Sequence, residues 1–291
     1  SVMCIRDRLF TTLEWVDNNP SSYASLELKT NKDTIATPEE SQALIQFLNS
    51  INNGDNALND IDTDIMVNYL AASVLNGNMD SHIGPTANNF YVYHHVTTNN
   101  FTLLPWDYNL AYGMWGDGVS GFGGGFGGGF GGFGGFGGPA PDDNAPIVNT
   151  DCRVLDHVID NPVNDTGAPR PMIERILEND ALRNQYRQTL QALLNGAFNP
   201  AYLANEISRF ADLIDPYVQA DPTKFFTYDE WQHSLTQDMP EDSNIQGGRG
   251  FNTYGPAPGL VPYIQERANI VQRQLNGEIP SSNNGGSACP L

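Results

Sequence analysis

The run from Gly121 to Gly138 restricts the fold of this chain more than any other feature, because it contains only glycine and phenylalanine. Its thirteen glycines lose more conformational entropy on ordering than any other residue type, and they add no side chain to a core. The fold must therefore be built from the sequence on either side of this run. We interpret residues 114–140 as a flexible insertion, either a tolerated low-complexity segment or a sticky loop beside a functional site.

Helical signals dominate on both sides of the insertion. Thr37 to Glu40 combines an N-cap residue, a first-turn proline and a capping-box glutamate, and Gly54 ends the apolar repeat that follows. A second helix is predicted from Asp62 to Leu75, with Gly77 as its C-terminal stop. Its predicted apolar stripe consists of Ile65, Met66, Tyr69, Leu70 and Leu75. Five further helices are predicted over residues 171–177, 182–194, 201–218, 228–235 and 261–275.

A β-hairpin is predicted between the second helix and the insertion. Phe90 to Tyr93 and Phe101 to Leu104 are rich in aromatic and β-branched residues, and they flank the polar stretch Thr97 to Asn100. The sequence therefore predicts an α+β fold that is predominantly helical and has one small hairpin.

The charge of the chain excludes some classes of partner. The formal net charge is −20, with only 14 lysines and arginines. Binding of nucleic acid needs clustered basic residues, and so does binding to an anionic membrane surface. The small number of basic residues therefore argues against a nucleic-acid partner. There is also no run of eighteen apolar residues, so we expect no membrane insertion.

Two acidic residues lie in loops at the two ends of the hairpin. Asp80 follows the end of the second helix, and Asp107 follows the second strand. Phosphoryl transfer uses such a set, because one carboxylate orients the acceptor hydroxyl while a second carboxylate and an amide oxygen hold a metal ion. Asn88 and Asn89 both supply a candidate amide. The alternative is that these residues are solvated turn residues.

Other polar side chains near this region are weaker candidates for a role in metal or phosphate binding. His94 and His95 are neighbours on a predicted strand, so they face opposite sides and are poorly placed to chelate one metal. His82 either orients Asp80, contacts a phosphate or is a simple loop residue. Asn109 either approaches the metal or stabilises a turn.

Three blocks of sequence around these residues, at positions 76–81, 89–93 and 104–113, resemble consecutive signature blocks of the CotH kinase family. Later stretches at residues 170–177, 220–225 and 275–280 are also similar to that family. The resemblance covers roughly Leu26 to Pro280, and we assign the kinase-like domain to residues 9–280. Residues 281–291 are expected to form a flexible linker or tail.

The resemblance implies the C-terminal lobe of an atypical protein-kinase-like fold with the hairpin at its active site. It implies transfer of phosphate from ATP, with Mg²⁺ or Mn²⁺, to Ser or Thr of coat or extracellular proteins, and a location on the spore coat, at the cell surface or outside the cell. By position, Asp80 matches the catalytic aspartate, and Asp107 with Asn89 matches the residues that bind the metal and thereby the nucleotide. Asn89 matches the amide residue of the second signature block better than Asn88 does, because it immediately precedes the strand that begins at Phe90. Trp106 matches the family tryptophan, which we expect to be a core aromatic residue beside Asp107.

The nucleotide-binding half of a kinase is not recognisable here. The only lysines are Lys29, Lys32 and Lys224, and none lies in a strand typical of the phosphate-binding lysine. We therefore expect this chain to be the C-terminal part of a larger kinase domain, with the N-terminal lobe missing and the isolated fragment inactive. Residues 1–8 resemble translated adapter sequence and are interpreted as non-native, with an ordinary helix start as the alternative.

Two other functions fit the same residues. One is a non-catalytic surface, adhesion or coat-assembly protein that uses the same fold, since a fold does not determine a function. The other, weaker alternative is a metal-dependent phosphohydrolase using Asp80 and Asp107.

Overall fold

The structure is a computed structural model that describes residues 12–23, 38–84, 87–114, 154–163, 169–224, 226–240 and 258–282. The described residues form seven α-helices and one two-stranded antiparallel sheet, which confirms the predominantly helical α+β prediction. The elements in chain order are α1 (Pro38–Asn53), α2 (Thr63–Asn76), β1 (Phe90–His95), β2 (Asn100–Pro105), α3 (Pro171–Glu178), α4 (Asp180–Asn195), α5 (Pro200–Ala220), α6 (Tyr228–Thr236) and α7 (Leu260–Leu275). Residues 1–8, the glycine-phenylalanine run and all three cysteines lie outside the described residues.

Helix α2 is the centre of the fold. The Asp62 side chain accepts a hydrogen bond from the Ile65 N–H at 3.2 Å and caps its start, and Gly77 ends it in the left-handed conformation at φ 60°. The predicted apolar stripe is wrong at Ile65, which is 45% exposed. Val67 and Val74, outside that stripe, are fully buried. Because α2 packs against α3, α4, α7 and β2, most of its surface is buried and a one-sided pattern does not describe it.

The hairpin lies where it was predicted, with strands longer than the apolar runs. Its register pairs Phe90 with Pro105 at one end and His95 with Asn100 at the other. Phe101 stacks on Phe47 of α1 with ring centroids 4.1 Å apart, and its carbonyl oxygen accepts the Asp62 N–H at 2.9 Å. The hairpin is therefore fixed against α1 and against the start of α2.

Helices α3, α4 and α7 complete the core. Tyr263, Ile264 and Val271 of α7 are buried at 2% exposure or less, so this last helix is an interior element. Past α7, the Ser281 side chain donates to Asp160 at 2.6 Å, at the first residue of the segment predicted as a flexible linker or tail.

Helix α5 differs from the others, because it lies at the edge of the molecule against α6 and α7. Leu203 and Ile207 pack partly against the core, whereas Phe210 and Ile214 of the same predicted apolar face are 51% and 43% exposed. None of the described helices is both long and apolar enough to span a bilayer.

Candidate functional site

The loop that carries Asp80 is held to the end of α2 by its own backbone. The Asn78 N–H donates to the Ser73 carbonyl at 3.0 Å, and the Ser81 hydroxyl donates to the Asn78 carbonyl at 2.7 Å. Met79 and Ser81 are buried on either side, and Asp80 between them is partly exposed. The loop thus directs one carboxylate outward from an otherwise buried turn.

The same loop closes tightly at Gly84. The Gly84 N–H donates to the Ser81 carbonyl at 3.0 Å. A Cβ atom at Gly84 would lie 1.6 Å from the Met79 carbonyl oxygen, so no other residue fits this backbone path without moving it. Sequence reasoning did not single out Gly84, although a glycine shortly after a candidate catalytic residue is a recognisable signal of close backbone approach.

Asn89 joins the two halves of the candidate site. Its side-chain Nδ2 donates to Asp80 Oδ2 at 2.8 Å, and its backbone carbonyl accepts the Trp106 N–H at 3.0 Å. Because Phe90 pairs with Pro105, Asn89 and Trp106 are the next residues beyond the end of the strand ladder. One residue therefore contacts Asp80 through its side chain and the Asp107 segment through its backbone.

Asp107 lies on the exposed side of this junction with φ 47°. Its Oδ1 accepts the Asn109 N–H at 3.2 Å, which is the geometry of an Asx turn. The Tyr112 N–H then donates to the Asn76 carbonyl at 2.7 Å, so the chain returns to the end of α2. The backbone of Asn109 takes part in the turn, in agreement with the turn alternative for this residue.

The donor atoms here fit a magnesium ion bound together with phosphate. The Nδ2 of Asn89 is engaged by Asp80, so the hard oxygen atoms that this segment offers are the oxygen of the same amide and those of the Asp107 carboxylate, whose Oδ1 also accepts the Asn109 N–H. Magnesium in nucleotide sites takes one or two carboxylates and completes its shell with phosphate oxygens and water. Within the described ranges no three His, Cys, Asp or Glu side chains are grouped to hold a metal.

Trp106 does not lie where the sequence placed it. The expectation of a core aromatic residue is wrong, because Trp106 is 57% exposed. Its ring meets the edge of Tyr91 with centroids 5.7 Å apart. Trp106 lies just past the end of β2, which ends at Pro105.

The three histidines occupy different environments. His82 is fully buried and packs edge-on against Phe90 with ring centroids 4.4 Å apart. Burial, and secondly the charge of Arg170, hold the pKa of His82 well below its usual range. A neutral buried ring supplies no charge to a phosphate. His94 is buried and stacks on Phe101, whereas His95 is exposed.

A polar cluster behind the Asp80 loop was not predicted. Ser73 and Asn78 are fully buried, and the Asn78 side-chain amide makes no hydrogen bond with the described residues. Tyr69 and Tyr108 lie in the same cluster, and burial raises the pKa of both phenols. The sequence signal was slight, since Ser73 and Tyr69 are two polar groups within an apolar helix.

The described segments contain a single lysine, Lys224, whose Nζ donates to the Asp221 carbonyl at 2.8 Å past the end of α5. Lys29 and Lys32 lie outside the described residues. No lysine is therefore identified beside Asp80 or Asp107 in the part of the chain that the structure describes.

Comparison with known proteins supplies a family. No curated protein matches this chain. A family model described as CotH kinase protein matches residues 6–241, which include Asp80, Asn89 and Asp107. Because this match covers more than half of the chain, the chain belongs to the CotH kinase protein family.

Proposed function

We propose that this chain carries the catalytic and metal-binding segment of an atypical protein kinase, which transfers the γ-phosphate of ATP to a Ser or Thr hydroxyl of a protein. Membership of the CotH kinase family supports a kinase. The observation that carries the site assignment is Asn89, which donates to Asp80 at 2.8 Å and accepts the Trp106 N–H next to Asp107.

The proposed roles follow from this arrangement. The hydrogen bond from Asn89 orients the Asp80 carboxylate, which positions the acceptor hydroxyl and receives its proton. Asp107 and the amide oxygen of Asn89 would hold Mg²⁺ or Mn²⁺. When bound, the metal supplies positive charge that neutralises the phosphate oxygens during transfer.

The substrate belongs to the same proposal. The family name implies transfer to a protein, and we propose Ser- or Thr-containing coat or surface proteins as substrates. The acidic charge of −20 disfavours strongly acidic partners, so the proposed acceptor segment is neutral or basic.

Substitution of Asp107 by Ala tests the proposal in the complete protein, including any sequence that flanks this chain. Removal of the carboxylate is expected to lower ATP-dependent phosphate transfer by at least about 100-fold, because charge stabilisation by the metal is lost. Asp107 is exposed, but alanine at its left-handed φ of 47° loses the Asx turn, so the melting temperature is expected to fall by about a few degrees while the protein stays folded at the assay temperature. Transfer is measured by mass spectrometry of autophosphorylated protein and of added protein substrates.

The matched control is Asp55→Ala, which removes another exposed carboxylate from a loop distant in sequence. This variant is expected to keep wild-type transfer. Normal transfer by the Asp107→Ala protein would refute the metal-binding assignment, and release of free phosphate without protein labelling would favour a phosphohydrolase.

One observation favours a non-catalytic binding protein as the second candidate. Helix α5 exposes Phe210 at 51%, Leu213 at 62% and Tyr217 at 75%, and such apolar side chains in one helix are common at binding surfaces. The two candidates differ in the sequence that precedes the matched region. A strand-borne lysine with a glutamate partner there supports the kinase, and a chain without them supports the binding protein.

A further inference from the structure

Arg170 is a fully buried arginine whose side chain donates to the loop that carries Asp80. It directly precedes α3, and its exposed fraction is 0%. Its Nε donates to the His82 carbonyl at 2.8 Å, and its Nη2 donates to the Gly84 carbonyl at 2.7 Å. These two acceptors lie two and four residues after Asp80.

A buried guanidinium is stable only when its donors are satisfied, because an unpaired charge otherwise loses its hydration without compensation. Here the Nη1 donates to the Pro169 carbonyl at 3.1 Å, in addition to the two loop carbonyls. Glu174 supplies nearby negative charge, and its Oε1 accepts the Arg170 backbone N–H at 2.9 Å. Arg170 is therefore tied to α3 through its backbone N–H and donates to the Asp80 loop through Nε and Nη2.

The loop needs support at this end. Its first half is tied to α2 through Asn78 and Ser73, as described above. The carbonyls of His82 and Gly84, in its second half, accept hydrogen bonds from Arg170, which lies 88 and 86 residues away in sequence. Because Gly84 lies close against the Met79 carbonyl, movement of Gly84 is transmitted to the residue that precedes Asp80.

We propose that Arg170 is a positioning residue for Asp80: it fixes the distal end of the Asp80 loop by binding the carbonyl oxygens of His82 and Gly84. Arg170 acts on catalysis only through the placement of Asp80. Its kinetic consequence rests on the proposed kinase function, whereas its effect on the loop does not.

The kinetic test compares Arg170→Met and Arg170→Lys with the wild type in the complete protein. Methionine leaves both carbonyls without a charged donor, and a displacement of about 1 Å in a catalytic group typically lowers the rate about 100-fold. We expect Arg170→Met to lower kcat about 100-fold with KM for ATP within about twofold. Lysine retains one charged donor group but lacks the planar fork of the guanidinium. The kcat of Arg170→Lys is therefore expected to lie between that of the wild type and that of Arg170→Met.

A core substitution far along the chain separates positioning from general destabilisation. Leu190 of α4 is fully buried, and Leu190→Ala is expected to lower the melting temperature without a loss of kcat below the transition. An equal loss of kcat in Arg170→Met and Leu190→Ala at matched stability would overturn the proposal.

Hydrogen exchange tests the loop without any enzymatic activity, in the wild-type chain itself. The Arg170 Nε–H and the Gly84 amide are expected to exchange slowly, whereas the Nε–H of Arg273, a 45% exposed side chain, is expected to exchange fast. Fast exchange of the Arg170 Nε–H would overturn the proposal even if no variant folds. A complete protein that transfers no phosphate but shows this protection would refute the proposed function and retain the loop assignment.

Discussion

At the scale of single residues, the candidate site is built on backbone conformations that most residues avoid. Asn89 and Asp107 have φ values of 52° and 47°. The left-handed region costs an ordinary residue roughly 1–2 kcal/mol, and asparagine and aspartate tolerate it best because of their short polar side chains. The Asx turn at Asp107 offsets part of this cost. Asparagine at position 89 and aspartate at position 107 therefore suit the left-handed backbone conformation as well as the proposed chemistry.

A second single residue, His157, gives the fold a predictable dependence on pH. Its ring is 4% exposed. Burial first, and the positive charge of Arg267 second, lower the pKa of His157 to about 3, with an opposing contribution from the Pro162 backbone. In the unfolded chain a histidine has a pKa of about 6.5. Between these values the unfolded state binds a proton that the folded state does not bind, so stability falls as the pH falls.

We expect His157 to contribute a loss of about 2 kcal/mol between pH 7 and pH 5 to the free energy of unfolding. Urea denaturation of the wild type and of His157→Leu at both pH values measures this contribution, because the variant lacks the titrating group. The pH-dependent change should be smaller in His157→Leu by about that amount. His95→Gln, at an exposed position, serves as the control, and its free energy of unfolding is expected to change between the two pH values by the same amount as in the wild type. Identical pH dependence in the wild type and His157→Leu would contradict the assignment.

At the scale of secondary structure elements, α7 belongs to the folded unit although it lies beyond the residues matched to the family, which end at 241. Arg267 of α7 donates to the Val74 carbonyl at 3.0 Å, in the last turn of α2. Tyr263 meets Tyr112 with ring centroids 6.1 Å apart, in the segment that follows Asp107. Helix α7 therefore supports both the helix before Asp80 and the segment after Asp107.

A chain that ends at Pro240 tests this role of α7. Loss of the helix exposes the apolar surface that Tyr263, Ile264 and Val271 cover in the core. We expect the shortened chain to lose cooperative thermal unfolding, as followed by circular dichroism, and to become sensitive to limited proteolysis. A control chain that ends at Ser282 keeps all the described contacts and should unfold cooperatively. An unchanged melting temperature in the chain ending at Pro240 would show that α7 is dispensable.

The elements were predictable from the sequence to different degrees for physical reasons. Helix α2 was found because its start and stop signals, Asp62 and Gly77, act locally. The hairpin was found because its strands have a distinctive composition. Arg170 and Arg267 were not assigned to the interior, since their burial depends on carbonyl groups more than 80 residues away in the chain. The exposure of Trp106 was missed for the same reason, because coverage is decided by elements that are remote in sequence.

At the scale of the whole molecule, the balance of charge is the main property that acts over long distances. The chain has 34 acidic and 14 basic residues, which gives the formal net charge of −20. Repulsion among like charges opposes the compact state, because folding brings them closer together. Salt screens this repulsion, since the Debye length falls from about 30 Å at 0.01 M to about 10 Å at 0.1 M ionic strength.

We therefore expect the melting temperature to rise by several degrees when NaCl is increased from about 10 mM to about 500 mM at pH 7, as measured by scanning calorimetry. Asp55 and Asp212 are exposed, so a double change to Asn removes two negative charges with little effect on packing. This variant should melt higher than the wild type at low salt and respond less to NaCl. A melting temperature that falls with NaCl would mean that screened ion pairs, such as Arg187 with Asp160, outweigh the general repulsion. The direction of the salt effect thus decides whether the acidic excess or the individual ion pairs dominate the electrostatic energy of the fold.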